Sequence, residues 1–101
     1  VQDRALVESV FADFKPSHVI HSAAAYKDPE NWREDTATNV EGTINVIEAA
    51  RKSGIERFIN FHTALGYGRP SVVPIPVDAP AKPFTSYGIS KQAGENYLAM
   101  S

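Results

Sequence analysis

His18-Val19-Ile20-His21-Ser22-Ala23-Ala24-Ala25 is the stretch that decides the fold. Its first five residues mix β-branched and polar side chains over strand length, and the alanines that follow carry almost no bulk, so the backbone there is open to close approach. Upstream, Leu6, Val7, Val10, Phe11 and Phe14 fall at helical spacing between Asp3, placed to cap, and Lys15-Pro16, which ends the run. Downstream, Pro29 breaks the chain. Beyond it Ala37, Val40, Ile44, Ile47 and Ala50 share one face of a helix predicted over Asp35 to Lys52, with Gly54 as its stop. Arg57-Phe58-Ile59-Asn60-Phe61-His62 reads as a second strand. A strand, a helix and a strand at this spacing imply parallel pairing through a crossover.

Residues 63 to 83 hold Gly66, Gly68 and five of the 7 prolines, which excludes a regular helix or a central strand. Loops of this length in compact domains commonly carry function. A third helix is predicted from Ser86 to Met100, with Ala93, Tyr97 and Met100 as its buried face. The fold class is therefore α/β, two consecutive units of a doubly wound parallel sheet, whose ligands sit beyond the carboxyl ends of the strands. Here those ends are His21 to Tyr26 and His62 to Gly68.

With 101 residues, 43% of them hydrophobic, the chain is one domain at most, below the size expected to enclose both a dinucleotide and a substrate. It does not begin with Met, and we read it as a piece of a longer protein. Ten Lys and Arg against 12 Asp and Glu, with no like-charge block, give no footprint for nucleic acid or an anionic membrane, and no apolar run reaches spanning length. The absence of cysteine removes disulfides, thiolate nucleophiles and Cys-type zinc sites, and fits a reducing, cytoplasmic setting. His18, His21 and His62 have no spacing that makes a zinc trio, so no metal site is expected, and His21 and His62 read as core or cofactor-wall residues. Trp32 is expected to pack the start of the second helix, and Val72 to Val77 to wall a substrate mouth.

Tyr87 and Lys91 stand four apart on the third helix, on one face and within about 5 to 6 Å at Cβ. A phenol is a poor base at neutral pH unless positive charge favours its phenolate. At an effective dielectric of about 20, one unit charge at roughly 4 Å contributes on the order of 4 kcal/mol, comparable with about 3 pKa units. Lys91 is enough in principle. Such a pair also arises by chance, and its weight comes from context: Tyr87 opens a helix directly after the proline-rich loop, and Thr63 ends the preceding strand. A threonine hydroxyl there is either a turn residue or a partner for a sugar or alcohol hydroxyl undergoing proton transfer.

Nearly the whole chain resembles the extended short-chain dehydrogenase/reductases of the nucleotide-sugar epimerase/dehydratase type. The likeness rests on His21-Ser22-Ala23-Ala24, on Asn39-Val40-Glu41-Gly42-Thr43, on Thr63-Ala64-Leu65-Gly66-Tyr67-Gly68 and on Tyr87-Gly88-Ile89-Ser90-Lys91, four motifs in family order and spacing. Within that family it is most similar to enzymes of bacterial surface-polysaccharide (O-antigen) pathways. The resemblance implies a partial NAD(P)-binding Rossmann domain over 1–101, with the Gly-rich first βα unit before Val1 and the substrate domain after Ser101, so the isolated piece is expected to be inactive. It implies Tyr87 as the acid/base, Lys91 as the ribose ligand that tunes Tyr87, and Thr63 as the holder of the reacting sugar hydroxyl. It further implies Ser22, Ala23, Ala24, Ala25 and Tyr26 along the dinucleotide and Asn39 at the cofactor region. The cofactor is NAD, with NADP also compatible, the substrate a UDP-linked sugar, and the assembly a homodimer through the second helix and the Tyr87 helix.

Family 4,6-dehydratases carry Asp-Glu after the Ser/Thr, and family decarboxylases a Glu at the second of those positions. Here the residues are Ala64 and Leu65, neither of which moves a proton. A 4-epimerase needs no further acid or base and is the favoured reading. A sugar dehydrogenase or reductase of the same family is the alternative, and a non-catalytic dinucleotide-binding regulator is a third that would have no need of the Tyr87/Lys91 pair.

Overall fold

The computed structural model describes residues 1–101. Helix α1, Arg4–Phe14, starts where the Asp3 carboxylate accepts the Leu6 N–H at 3.0 Å and stops at Lys15, whose backbone is left-handed (φ 50°). Strands β1, His18–His21, and β2, Arg57–Asn60, pair in parallel, with His18 opposite Arg57 and His21 opposite Asn60. Parallel strands need a long crossover. It is supplied by α2, Trp32–Asp35, a π-helical turn, Thr36–Glu41, and α3, Gly42–Ser53, which run on without a break until Gly54 turns left-handed (φ 64°). A 3₁₀ turn, Ala64–Tyr67, and α4, Ser86–Met100, follow; Thr85 caps α4 by accepting the Gly88 N–H at 3.0 Å. The α/β reading, the parallel pairing and the Ser86 to Met100 helix all hold.

The strands alternate. Val19, His21, Phe58 and Asn60 turn toward the helices, whereas Ile20 and its cross-strand partner Ile59 are 65% and 43% exposed on the other face. Helices α1, α3 and α4 pack against one another on one side, and the buried apolar core is Val46, Ile47, Ala49 and Ala50, all from α3. In α1, Val7 and Phe11 are half-buried while Leu6, Val10 and Phe14 stay exposed.

Three expectations need correction. The second helix begins at Trp32 rather than Asp35 and contains a π turn in which the Gly42 N–H reaches back to the Ala37 carbonyl. The extra residue rotates the stripe, so Thr43, Val46 and Ala49 are buried while Ala37, Val40 and Ile44 are only half-buried. In α4 the buried face is Gly88, Ser90, Lys91 and Gly94; Tyr97 and Met100 are exposed. The Trp32 ring is likewise exposed, its indole N–H donating to the Pro29 carbonyl at 3.1 Å.

Gly94 shows why α4 turns that face inward. A Cβ on it would stand 2.8 Å from the Asn39 carbonyl oxygen and 3.4 Å from the Thr43 side chain, so α4 and the crossover touch backbone to backbone. In an open helix, Gly→Ala gains up to about 1 kcal/mol. Here the clash is with a backbone carbonyl, and overpacking costs about 1–3 kcal/mol. Gly94→Ala in the full-length protein is thus expected to lower the urea midpoint at unchanged m-value, with a net loss of about 1–2 kcal/mol.

Candidate active site

Asn39 sits at the centre of the π turn, 1% exposed. Its side-chain oxygen accepts the Ala25 N–H at 2.8 Å, and its amide nitrogen donates to the Ala25 carbonyl at 2.8 Å and to Ser90 Oγ at 2.9 Å. Ser90 in turn donates to the Tyr87 carbonyl at 2.9 Å. One buried amide thereby joins the turn after β1, the crossover helix and the first turns of α4. Asn39 is fully used in this way, so it acts on a ligand only through the turn it holds. Within that turn Ala23, Ala24 and Ala25 are half-buried, and Ser22 and Tyr26 are exposed.

Tyr87 is half-buried in the first turn of α4, its ring 6.1 Å from that of Tyr26 and tilted by 56°. Both line a cleft of about 730 Å³ that also takes in Leu65, Ser90, Trp32 and Phe84. Lys91 is only 3% exposed, and burial pushes its ammonium below the usual lysine range. The chain's ion pairs join Arg4 to Glu8 and Glu48 and Lys52 to Glu8, and the Glu95 carboxylate lies 2.8 Å from His62 Nε2; none of these engages Lys91.

His21, 4% exposed, stands beside this charge. Its Nε2 lies 2.9 Å from Thr43 Oγ1, and Thr43 donates its own proton to the Asn39 carbonyl at 2.7 Å. A carbonyl only accepts, so the Thr43 oxygen must receive an N–H from His21, which fixes the neutral ring with its proton on Nε2. Burial, with smaller contributions from the Lys91 charge and the chain's amino terminus, lowers the His21 pKa to about 4.

Thr63 lies just beyond β2 and caps the 3₁₀ turn, its hydroxyl oxygen accepting the Leu65 N–H at 3.2 Å. It opens onto a second cleft of about 530 Å³ with Tyr67, Val77, Gln92 and Glu95. The 3₁₀ turn stands between the two clefts, with Leu65 on the Tyr87 side, so the structure does not bring Thr63 into the cleft of Tyr87. Of the predicted residues, the structure joins Ala25 to Asn39 and Tyr26 to Tyr87, and stacks Tyr87 and Lys91 on α4. From Val72 to Val77, only Val77 reaches the Thr63 cleft; Val73 is 83% exposed. Ser90, Thr43 and His21 carry structural roles that no spacing rule assigned. Their signal was polarity on inward helical faces, Ser90 three residues after Tyr87 and Thr43 four after Asn39.

A parallel βαβ unit with a small-residue turn at one strand end, and a Tyr/Lys pair on the helix after the next strand, defines a dinucleotide-type α/β enzyme domain. Residues 1–100 match the family described as NAD dependent epimerase/dehydratase, and the chain belongs to that family. It is similar to the Bordetella bronchiseptica enzyme WbmG, solved in complex with NAD (TM-score 0.95, 64% identity, covering 99% of this chain and 32% of that one). It is also similar to WbmH of the same organism, solved with NAD+ (TM-score 0.93, 46% identity, 98% and 34%). Among curated proteins, UDP-glucose 4-epimerase of Mycolicibacterium smegmatis is 36% identical over 97 residues, 90% of this chain and 30% of that protein. The chain spans about a third of the length of these relatives. The uncovered Ile20/Ile59 face is the sheet surface that both-sided α/β folds bury.

His21 generates a pH prediction. Its folded pKa lies below the unfolded value, so its contribution is complete above about pH 6.5 and is lost as pH falls toward 4. The full swing is on the order of 3 kcal/mol. Denaturant titrations of the full-length protein between pH 7 and 4 should show a loss of stability that His21→Asn largely removes; parallel curves for the two would refute the assignment.

Proposed function

We propose that this chain is the catalytic segment of an NAD-dependent nucleotide-sugar 4-epimerase acting on a UDP-linked sugar, in the supply of surface-polysaccharide precursors. The observation that carries the reading is Leu65, which lines the Tyr87 cleft where water elimination would need a carboxyl, and Ala64 beside it is equally inert. The comparisons support it: relatives are named UDP-glucose 4-epimerase, and WbmG has been solved with both NAD and UDP.

The residues present fit the cofactor. The buried Lys91 ammonium has no carboxylate of its own, and the Ala23–Ala25 turn, tied to α4 through Asn39 and Ser90, carries no side-chain bulk, features suited to the hydroxyls of a ribose and the charge of a dinucleotide. When bound, NAD supplies reversible hydride acceptance at the sugar carbon. Ser22 to Tyr26 would line it, held in place by Asn39, and Lys91 would bind the nicotinamide ribose. Thr63 would hold the C4 hydroxyl of the sugar. Tyr87 would take the hydroxyl proton and give it back after the sugar has turned over.

We propose that the full-length protein pairs as a homodimer through the crossover helix and α4, on which Ile89 is 54% exposed. Light scattering of the full-length protein should give a dimer mass, and Ile89→Glu a monomer.

The activity test incubates the full-length protein with UDP-glucose, UDP-N-acetylglucosamine and their uronic acids, following C4 configuration by NMR and reduced nicotinamide by absorbance. The expected outcome is a C4 epimer without net nicotinamide reduction, lowered at least 10²-fold by Tyr87→Phe, as loss of a general acid/base requires. Stoichiometric accumulation of reduced cofactor would instead identify a dehydrogenase.

A further inference from the structure

We propose that His62 is a positioning residue for Thr63: its imidazole, held between the Thr63 backbone and the Glu95 carboxylate of α4, sets where the Thr63 hydroxyl stands relative to Tyr87. The inference rests on the reading of Thr63 as the holder of the reacting hydroxyl.

Thr63 needs such support. The last hydrogen bond between the strands is from the Phe61 N–H to the His21 carbonyl at 3.0 Å, and Thr63 lies two residues beyond it. What fixes Thr63 is the 3₁₀ turn, through the Gly66 N–H on its carbonyl at 3.1 Å, and the His62 ring. His62 Nδ1 receives the Thr63 N–H at 2.6 Å. The same Nδ1 lies 3.0 Å from the Thr63 carbonyl, so both polar groups of the Thr63 backbone meet one ring nitrogen, and the other ring nitrogen is Nε2. That nitrogen is buried, and it faces the Glu95 carboxylate at 2.8 Å, at ion-pair distance though out of hydrogen-bond alignment, with no other partner.

The ring is also gripped sterically. A Cβ on Gly66 would stand 2.5 Å from His62 Cε1 and 3.2 Å from Nδ1, so the 3₁₀ turn closes onto the imidazole only because residue 66 has no side chain. Glu95 lies one helical turn past Lys91 and two past Tyr87 on α4. The His62–Glu95 contact therefore ties Thr63 to the same rigid element that carries the proposed acid/base. Two groups that must meet one sugar hydroxyl from different elements need a common reference, because a misplacement of about 1 Å costs up to about 10²-fold in rate.

The test uses the full-length protein and the sugar panel above, with kcat, KM, melting temperature and crystal structures for wild type, His62→Ala, Glu95→Ala and Glu95→Gln. The expected result is a kcat lowered about 10- to 100-fold in the two alanine variants, with KM within about threefold and Thr63 Oγ1 moved by about 1 Å from its wild-type place. Glu95→Gln, which keeps the side chain's length and an oxygen against Nε2, should retain most of kcat. An unmoved Thr63 with wild-type kcat overturns the proposal. So does a fall in kcat that only follows a fall in folded fraction. Should His62→Ala not fold, the Glu95 pair decides by the same criteria. A wild-type protein silent on every sugar defeats the epimerase reading instead, and the crystallographic position of Thr63 in the variants then decides this one alone.

Discussion

The Asn39 side chain is the contact on which the candidate site depends. It is shut away from water, and its oxygen and nitrogen are spent on Ala25 and Ser90. A buried amide group left without its partner costs about 1–3 kcal/mol, so this residue holds its neighbours in one arrangement far more firmly than a hydrophobic side chain of equal size would. The turn after β1 and the helix carrying Tyr87 are distant in sequence. They are referenced to each other through this amide and through the Gly94 backbone contact next to it. The π turn is what makes it reachable, since the widened helix presents Asn39 to the strand-end turn and to α4 together.

A second constraint is the buried ammonium of Lys91. Burying a cation without a counter-ion opposes folding, and the chain offers it no carboxylate. What it offers is a neighbour that stays neutral. His21 gives its only proton to Thr43, and burial keeps it from taking a second, so no like charge arises beside Lys91 at neutral pH. The arrangement sacrifices some stability at rest and leaves the Lys91 ammonium without a charged partner in the chain, four residues along α4 from Tyr87.

The elements with local determinants were legible in the sequence: Asp3 and Lys15-Pro16 bound α1, Gly54 ends α3, and α4 runs from Ser86 to Met100. Of the site motifs, the structure joins Ala25 to Asn39 and sets Tyr26 beside Tyr87, contacts between motifs far apart in the sequence. What escaped were features set by contact between distant segments. The π turn has no periodic signature, and it shifted the buried stripe of the crossover off Ala37, Val40 and Ile44. Hydrophobicity placed Tyr97 and Met100 inside α4, whereas close approach to the Asn39 carbonyl selects Gly88, Ser90, Lys91 and Gly94 for the inner face. Trp32 packs nothing within these residues and instead borders an open apolar cleft. His62 read as a wall residue, and only the structure brings it to Glu95.

The same reasoning explains how little of the reaction's identity resides in the fold. The parallel pair, the crossover and the helix carrying Tyr87 and Lys91 are a scaffold shared by a family of more than one chemistry, epimerases and dehydratases. The branch point lies on one short 3₁₀ turn. An acidic side chain at position 65 would stand in the Tyr87 cleft as a group able to move a proton during elimination of water; leucine there supplies only an apolar surface. An apolar wall suits an intermediate that must be held without being attacked and must be free to rotate before it is reduced again. On the epimerase reading proposed above, a side chain at position 65 with no proton to move closes the dehydration exit for a keto sugar and leaves oxidation without hydride return as the competing outcome.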